Sequence, residues 1–205
     1  MTLVKICGLT REEDVAAASE LGAAMLGFNF SVGSSRRISP RHAAAIAGAS
    51  GSAARVGVFV EAPRDEIARA VAEAGLSVVQ LHRAVVAADC EAIPAALMAA
   101  VRLESGREGL PPPGVLERCR ALLWDSSAGR AKEPDWTLLE RVGPLPVPVF
   151  VAGGLTADNV GGVIRRLRPA GVDVASGVES APGVKDRRKL EEFFAAVREA
   201  DRGQT

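Results

Sequence analysis

Eight short, largely apolar runs recur along this chain at intervals of about 20 to 30 residues. They are Leu3–Cys7, Ala23–Asn29, Ala54–Val60, Leu76–Leu81, Met98–Leu103, Arg120–Asp125, Val147–Ala152 and Gly171–Ala175. A helical pattern follows each run, so the repeating unit is a strand and then a helix. Several runs are almost wholly apolar, as parallel strands covered on both faces must be. Eight such units in 205 residues fit an α/β fold, a (β/α)8 TIM barrel at the small end of its range. A doubly wound open sheet is the other arrangement of the same units. No linker or shift in composition divides the chain, which predicts a single barrel domain over residues 1–205.

The helices carry their own punctuation. Thr10-Arg11-Glu12-Glu13 has the form of a capping box and predicts that Thr10 caps the first helix, which Gly22 ends. Ser39-Pro40 is a cap followed by proline at the first helical position. Asp65 to Ala74 stops at Gly75, Thr156 caps a later helix, and Lys185-Asp186 precedes a last helix running to about Ala200. Gly106 to Gly114, with Pro111-Pro112-Pro113, leaves room only for a short fifth helix.

Composition excludes some functions. Lys plus Arg and Asp plus Glu number 25 each, so there is no basic excess to bind nucleic acid or a membrane surface. No apolar stretch reaches the roughly 18 residues of a membrane span, and the N-terminus lacks a signal-peptide pattern. Cys7, Cys90 and Cys119 form neither a zinc motif nor an even disulfide set, which predicts no metal and reduced thiols in the cytoplasm. Cys90 and Cys119 fall in helical stretches and read as structural, and His42 as a surface residue.

In a barrel of this kind chemistry collects where strands run into the following loops. Those ends carry Cys7, Asn29, His82, Arg102, Asp125, Gly153-Gly154, Asp173 and Ser176-Gly177. Ala152-Gly153-Gly154-Leu155 offers glycine N–H groups just before a capped helix, and Asp173 to Glu179 is expected to do the same after the eighth strand. Backbone donors of that kind cradle a phosphate. Cys7 and Asp125 offer a base and an acid across one mouth, although either could be a packing or loop residue. For the task the carboxyl needs a pKa raised by partial burial, and the thiol one lowered by a cation such as Lys5. His82 either lines the site or braces the barrel.

Several motifs in register carry a more specific signal. Lys5-Ile6-Cys7-Gly8-Leu9-Thr10, Leu26-Gly27-Phe28-Asn29-Phe30, Ser34 to Pro40, Val56 to Val60 and Val79-Gln80-Leu81-His82 stand in order. Ala152-Gly153-Gly154-Leu155-Thr156, Asn159-Val160, Asp173 to Glu179 and Pro182-Gly183-Val184-Lys185-Asp186 follow them. Over essentially its whole length the chain resembles the phosphoribosylanthranilate isomerase family of tryptophan biosynthesis. The resemblance implies an Amadori rearrangement of a phosphorylated sugar, with no cofactor, in a monomer or homodimer. It implies Cys7 as general base, Asp125 as general acid and Arg36 against the anthranilate carboxylate. It also implies Asp173 near the sugar hydroxyls, and Gly153, Gly154, Ser176 and Gly177 around the phosphate.

Three departures from the family pattern cluster at the same mouth. The loop after the aspartate usually carries Gly-Gly-Thr-Gly before Asp-Trp, whereas Ser126 to Pro134 keeps one glycine and gains Arg130 and Lys132. Arg83-Ala84-Val85 replaces the usual Gly-Asp-Glu, and Arg37 follows Arg36 where tyrosine or histidine is common. These changes predict that residues 126–134 cover the mouth and that Arg130 and Lys132 join Arg36 and Arg37 on an anionic group. They keep two alternatives open: a paralogue recruited to another phosphorylated substrate, and a non-catalytic barrel that binds a phosphate ligand.

Overall fold

The structure, a computed structural model, describes residues 1–102, 107–126, 140 and 142–203 of the 205. Eight parallel strands close on themselves in chain order: β1 (Leu3–Cys7), β2 (Met25–Asn29), β3 (Ala54–Phe59), β4 (Val78–Leu81), β5 (Ala96–Arg102), β6 (Ala121–Asp125), β7 (Val149–Ala152) and β8 (Gly171–Val174). Closure is made by β8 against β1, where Leu3 stands opposite Gly171 and Lys5 opposite Asp173. That pairing excludes an open doubly wound sheet, which would leave both edge strands unpaired.

Between the strands run α1 (Glu12–Glu20), α2 (Pro40–Ile46), α3 (Arg64–Ala74), α4 (Ala87–Ala92), α5 (Pro113–Leu116), α6 (Ala157–Leu167) and α7 (Arg187–Arg202). The fifth helix is a single turn, as its prolines require. Ser39 Oγ caps α2 by accepting from the His42 N–H, and Asp186 caps α7 by accepting from that of Lys189. Thr10 does not cap α1. Its hydroxyl donates to the Gly183 carbonyl, and Arg11 takes the N-cap position without a side-chain bond. A long-range partner has captured the cap residue, which a local pattern cannot reveal.

Strand parity divides the core in two. Met25, Val56, Val78, Met98, Ala121, Leu123, Phe150 and Ala152 fill the barrel. The alternate residues, among them Ile6, Leu26, Phe28, Leu122 and Trp124, pack outward against the helices. Parity also sends Lys5 and Cys7, Gln80, Asp125 and Asp173 inward, stacked above the apolar plug at the carboxyl ends. No helix among the described residues is long and apolar enough to cross a membrane.

Candidate active site

A cavity of about 160 Å³ opens at the carboxyl ends of the strands. Cys7, His82, Asp125 and Asp173 line it, together with Gly153, Gly154, Ser176 and Gly177. All eight are residues that the sequence nominates, and Asn29 at the end of β2 joins them around the same space, whereas Arg102 does not. Arg36 stands outside the cavity wall, its guanidinium bound to Glu179 through Nε at 2.8 Å and Nη2 at 2.6 Å.

Cys7 ends β1, with Lys5 two residues earlier on the same face. Lys5 is fully buried and its Nζ lies 2.9 Å from Asp173 Oδ1. Gly27 on β2 makes room for the group: a Cβ there would stand 3.1 Å from Cys7 Sγ and 3.2 Å from Lys5 Nζ. Burial pushes the thiol pKa up, the Lys5 ammonium pulls it down, and the Asp173 carboxylate works against Lys5. The balance is upward, so the lowered pKa expected from Lys5 alone is not reached. Burial is the largest cause, and Asp173 adds to it. On Lys5, burial favours the neutral amine, but Asp173 and Cys7 outweigh it and the pKa rises, leaving the ammonium charged.

Asp125 ends β6, with β7 and β8 between it and β1. Its Oδ2 lies 3.9 Å from His82 Nδ1. Burial holds the His82 pKa below its usual value although Asp125 pulls the other way, so the ring is neutral at pH 7. Gln80 Nε2 stands 2.7 Å from His82 Nε2, and with that amide donating, the neutral ring carries its proton on Nδ1, facing Asp125. Gln80 itself is buried, and its Oε1 has no partner among the described residues. The sequence reading passed over Gln80, although its inward parity on an apolar strand was a usable signal.

The glycine loops behave differently from each other. Gly153 and Gly154 take φ of +104° and +64°, a backbone path only glycine follows without strain. Asn159 locks that turn, donating to the Gly154 carbonyl and accepting from the Thr156 N–H at the start of α6. After β8 the chain does not enter a capped helix. It makes one 3-10 turn, Ser176–Val178, and then a small hairpin of β9 (Glu179–Ala181) and β10 (Val184–Lys185). A Cβ at Gly177 would collide with the Leu155 carbonyl oxygen, so the two loops close on each other through that glycine. Ser126 Oγ adds donations to the Ala152 and Gly153 carbonyls, at 3.0 Å and 3.3 Å.

The three departures fare unequally. Residues 127–134, with Arg130 and Lys132, lie outside the described residues. Arg83 is committed elsewhere: its two Nη atoms each stand 2.8 Å from the buried carboxylate of Asp89 at the start of α4, which Arg64 also meets. Burial pushes Asp89 up, but Arg83, the Val86 N–H and Arg64 outweigh it and hold the carboxyl at about 2. Arg37 is exposed and faces a groove with Pro40, Glu66 and Arg69. Neither arginine touches the cavity.

Of the remaining candidates, His42 is exposed and contacts the Thr10 carbonyl at 2.8 Å. Cys90 sits partly buried in α4, and Cys119 lies between α5 and β6, its pKa pushed up to about 11 by burial. Among the described residues no three His, Cys, Asp or Glu side chains gather to hold a metal ion.

The profile of the N-(5'phosphoribosyl)anthranilate (PRA) isomerase family matches residues 4–196 of the chain. The chain belongs to that family. The isomerase of Dechloromonas aromatica is 42% identical over 98% of both chains, and that of Methylibium petroleiphilum 40% over 98% of this chain and 95% of its own. The crystal structure of the Thermus thermophilus isomerase superposes with a TM-score of 0.81 at 39% identity, covering 97% of this chain and 99% of its own. An isomerase solved in complex with reduced 1-(o-carboxyphenylamino)-1-deoxyribulose 5-phosphate superposes with a TM-score of 0.78 at 32% identity, covering 97% and 100%.

Proposed function

We propose that this chain converts N-(5'-phosphoribosyl)anthranilate into 1-(o-carboxyphenylamino)-1-deoxyribulose 5-phosphate by acid–base catalysis. The observation that carries the reading is one cavity holding a thiol and a carboxyl on separate strands beside a glycine-lined anion cradle. Asp125 gives a proton to the furanose ring oxygen, the ring opens, and a protonated Schiff base forms at C1′. Cys7, as thiolate, takes the proton from C2′, and the electron pair left behind neutralises the iminium nitrogen to give an enolamine. Tautomerisation of the enolamine yields the aminoketone. Asp125 gives one proton and Cys7 takes one, so the substrate's atoms balance with no cofactor, and exchange with solvent returns a proton to Asp125 and removes one from Cys7 to reset the site. Lys5 keeps an ammonium beside the thiolate as it forms, and the neutral His82 leaves the acid's proton uncontested. Gln80 Oε1 serves as acceptor for a sugar hydroxyl, since a buried carbonyl without a donor costs about 1–3 kcal/mol.

We also assign Asp173 to the sugar side of the cavity and Arg36 to the anthranilate carboxylate. The working unit is a single barrel, monomeric or homodimeric, in the cytoplasm, where thiols stay reduced. Neither Arg83, bound to Asp89, nor Arg37, in the groove with Glu66 and Arg69, lines the cavity, so these two departures do not favour recruitment to another substrate. The direct test generates phosphoribosylanthranilate in place and follows the loss of its fluorescence. Rapid loss that depends on the protein is expected; none would leave only a binding role.

The phosphate cradle has its own expected result. Gly177→Ala forces a methyl group onto the Leu155 carbonyl and parts the two loops. Inorganic phosphate, titrated by NMR or as a competitive inhibitor, should bind the variant about tenfold or more weakly, a difference of about 1.4 kcal/mol or more. Unchanged affinity would place the anion elsewhere in the mouth.

A further inference from the structure

Lys185 is a fully buried side chain that the proton transfers do not use. Its ammonium reaches three oxygens: the Cys7 carbonyl at 2.6 Å, Glu179 Oε1 at 2.8 Å and the Ala175 carbonyl at 3.1 Å. Glu179 is likewise buried and takes four donors, Nε and Nη2 of Arg36, Lys185 Nζ and the Gly183 N–H. The stem of Arg36 crosses Gly8, where a Cβ would overlap its Cδ, so the guanidinium sits directly beyond the thiol's strand. With Nε and Nη2 on Glu179, the Nη1 edge has no partner among the described residues.

Charge decides what that edge can do. Arg36 and Glu179 alone form a neutral pair with little pull on an anion. With Lys185 protonated the triad carries one net positive charge, delivered through Arg36 because Lys185 is enclosed; burial pulls the Lys185 pKa below its ordinary value although Glu179 pulls it up. Burial pushes the Glu179 carboxyl up, but hydrogen bonds from Arg36 and Lys185 outweigh it and hold it ionised below its ordinary range. A carboxylate so saturated is a rigid template for the guanidinium.

We propose that Lys185 and Glu179 are positioning residues for substrate selection, fixing the Arg36 edge and its net charge toward the carboxylate of the substrate's aromatic ring. This rests on the reading that Arg36 meets that carboxylate. The same ammonium ties the carbonyl at the end of β1 to the one at the start of the phosphate loop. The ring end and the phosphate end are thereby held at one spacing.

The test compares two ligands, reduced 1-(o-carboxyphenylamino)-1-deoxyribulose 5-phosphate and its phenylamino counterpart lacking the carboxylate. The readout is the ratio of their dissociation constants in the intact protein. Arg36→Met should abolish the wild-type preference for the carboxylated ligand; if it does not, the reading of Arg36 fails and this proposal with it. Lys185→Gln keeps donors for the two carbonyls but removes the charge, and should cut the preference about tenfold with little change for the phenylamino ligand. Lys185→Arg should restore part of it. Glu179→Asp keeps the charge and withdraws the template by one methylene, and should cut the preference similarly, which keeps the proposal testable if Lys185→Gln does not fold. If Arg36→Met abolishes the preference while Glu179→Asp and any folded Lys185→Gln retain it, or weaken both ligands equally, the residues are merely structural and the proposal is overturned.

Discussion

Cys7→Ala and Asp125→Asn each lower turnover of phosphoribosylanthranilate by about 10² or more, and neither unfolds the barrel. The two groups serve different proton transfers, so either loss stops the reaction at its own step. Both side chains end their strands at the cavity, where truncation removes few packing contacts. The affinity for the reduced product analogue should therefore stay within a few-fold of wild type. The direction with pH separates the roles. Burial holds the Cys7 thiol above its ordinary value despite Lys5, so the thiolate fraction, and with it kcat, climbs with pH through neutrality on the side that the base controls. In Cys7→Ala that climb disappears from whatever rate remains. Single-turnover measurements on both variants check this, and near-normal turnover by Cys7→Ala would make the thiol a packing residue.

How much of this could be read in the chain depends on the range of each interaction. The barrel was legible because strand and helix periods are local, and eight repeats leave few closures. The strand ends were legible for the same reason: parity alone puts Cys7, His82, Asp125 and Asp173 on the inner face. The misreadings share one cause. Thr10 fits a capping box, yet its hydroxyl goes to Gly183, 173 residues away. The loop after β8 looked like a second helix start, but a hairpin intervenes so that Lys185 can reach back to Cys7, 178 residues away. Arg83 looked like a new charge at the mouth because Asp89, its partner six residues on, was hidden in an unremarkable helix. Glu179 and Lys185 stood within matched motifs, but nothing local says that they meet Arg36 across the barrel. The thiol pKa rises instead of falling because burial outweighs Lys5, and the Asp173 carboxylate that register brings opposite Lys5 adds to the rise.

That Lys5–Asp173 pair underlies the largest stability effect expected. Lys5 is fully buried in the barrel, and Asp173 is its nearest carboxylate. Removing one member of a buried pair leaves the other charge stranded, at about 3–5 kcal/mol. For a chain of this size that lowers Tm by roughly 10 °C in either Lys5→Met or Asp173→Asn. The two substitutions must act oppositely on Cys7. Without Lys5 the thiol keeps its burial and the repulsion of Asp173, so its pKa rises further. Without Asp173 the ammonium acts on the thiol alone, and the pKa falls. Alkylation of Cys7, followed against pH by mass spectrometry of its peptide, reads both shifts apart from any effect on catalysis. The pH dependence of stability has a fixed sign as well. Lys5 has a folded pKa above 10.5, so its contribution is complete at neutral pH, below the unfolded value, and is lost as pH rises through the folded one. Lys5→Met should flatten that alkaline limb of the unfolding curve. Equal alkylation profiles in the two variants would show that the cation and carboxylate brace the barrel without setting the thiol's charge.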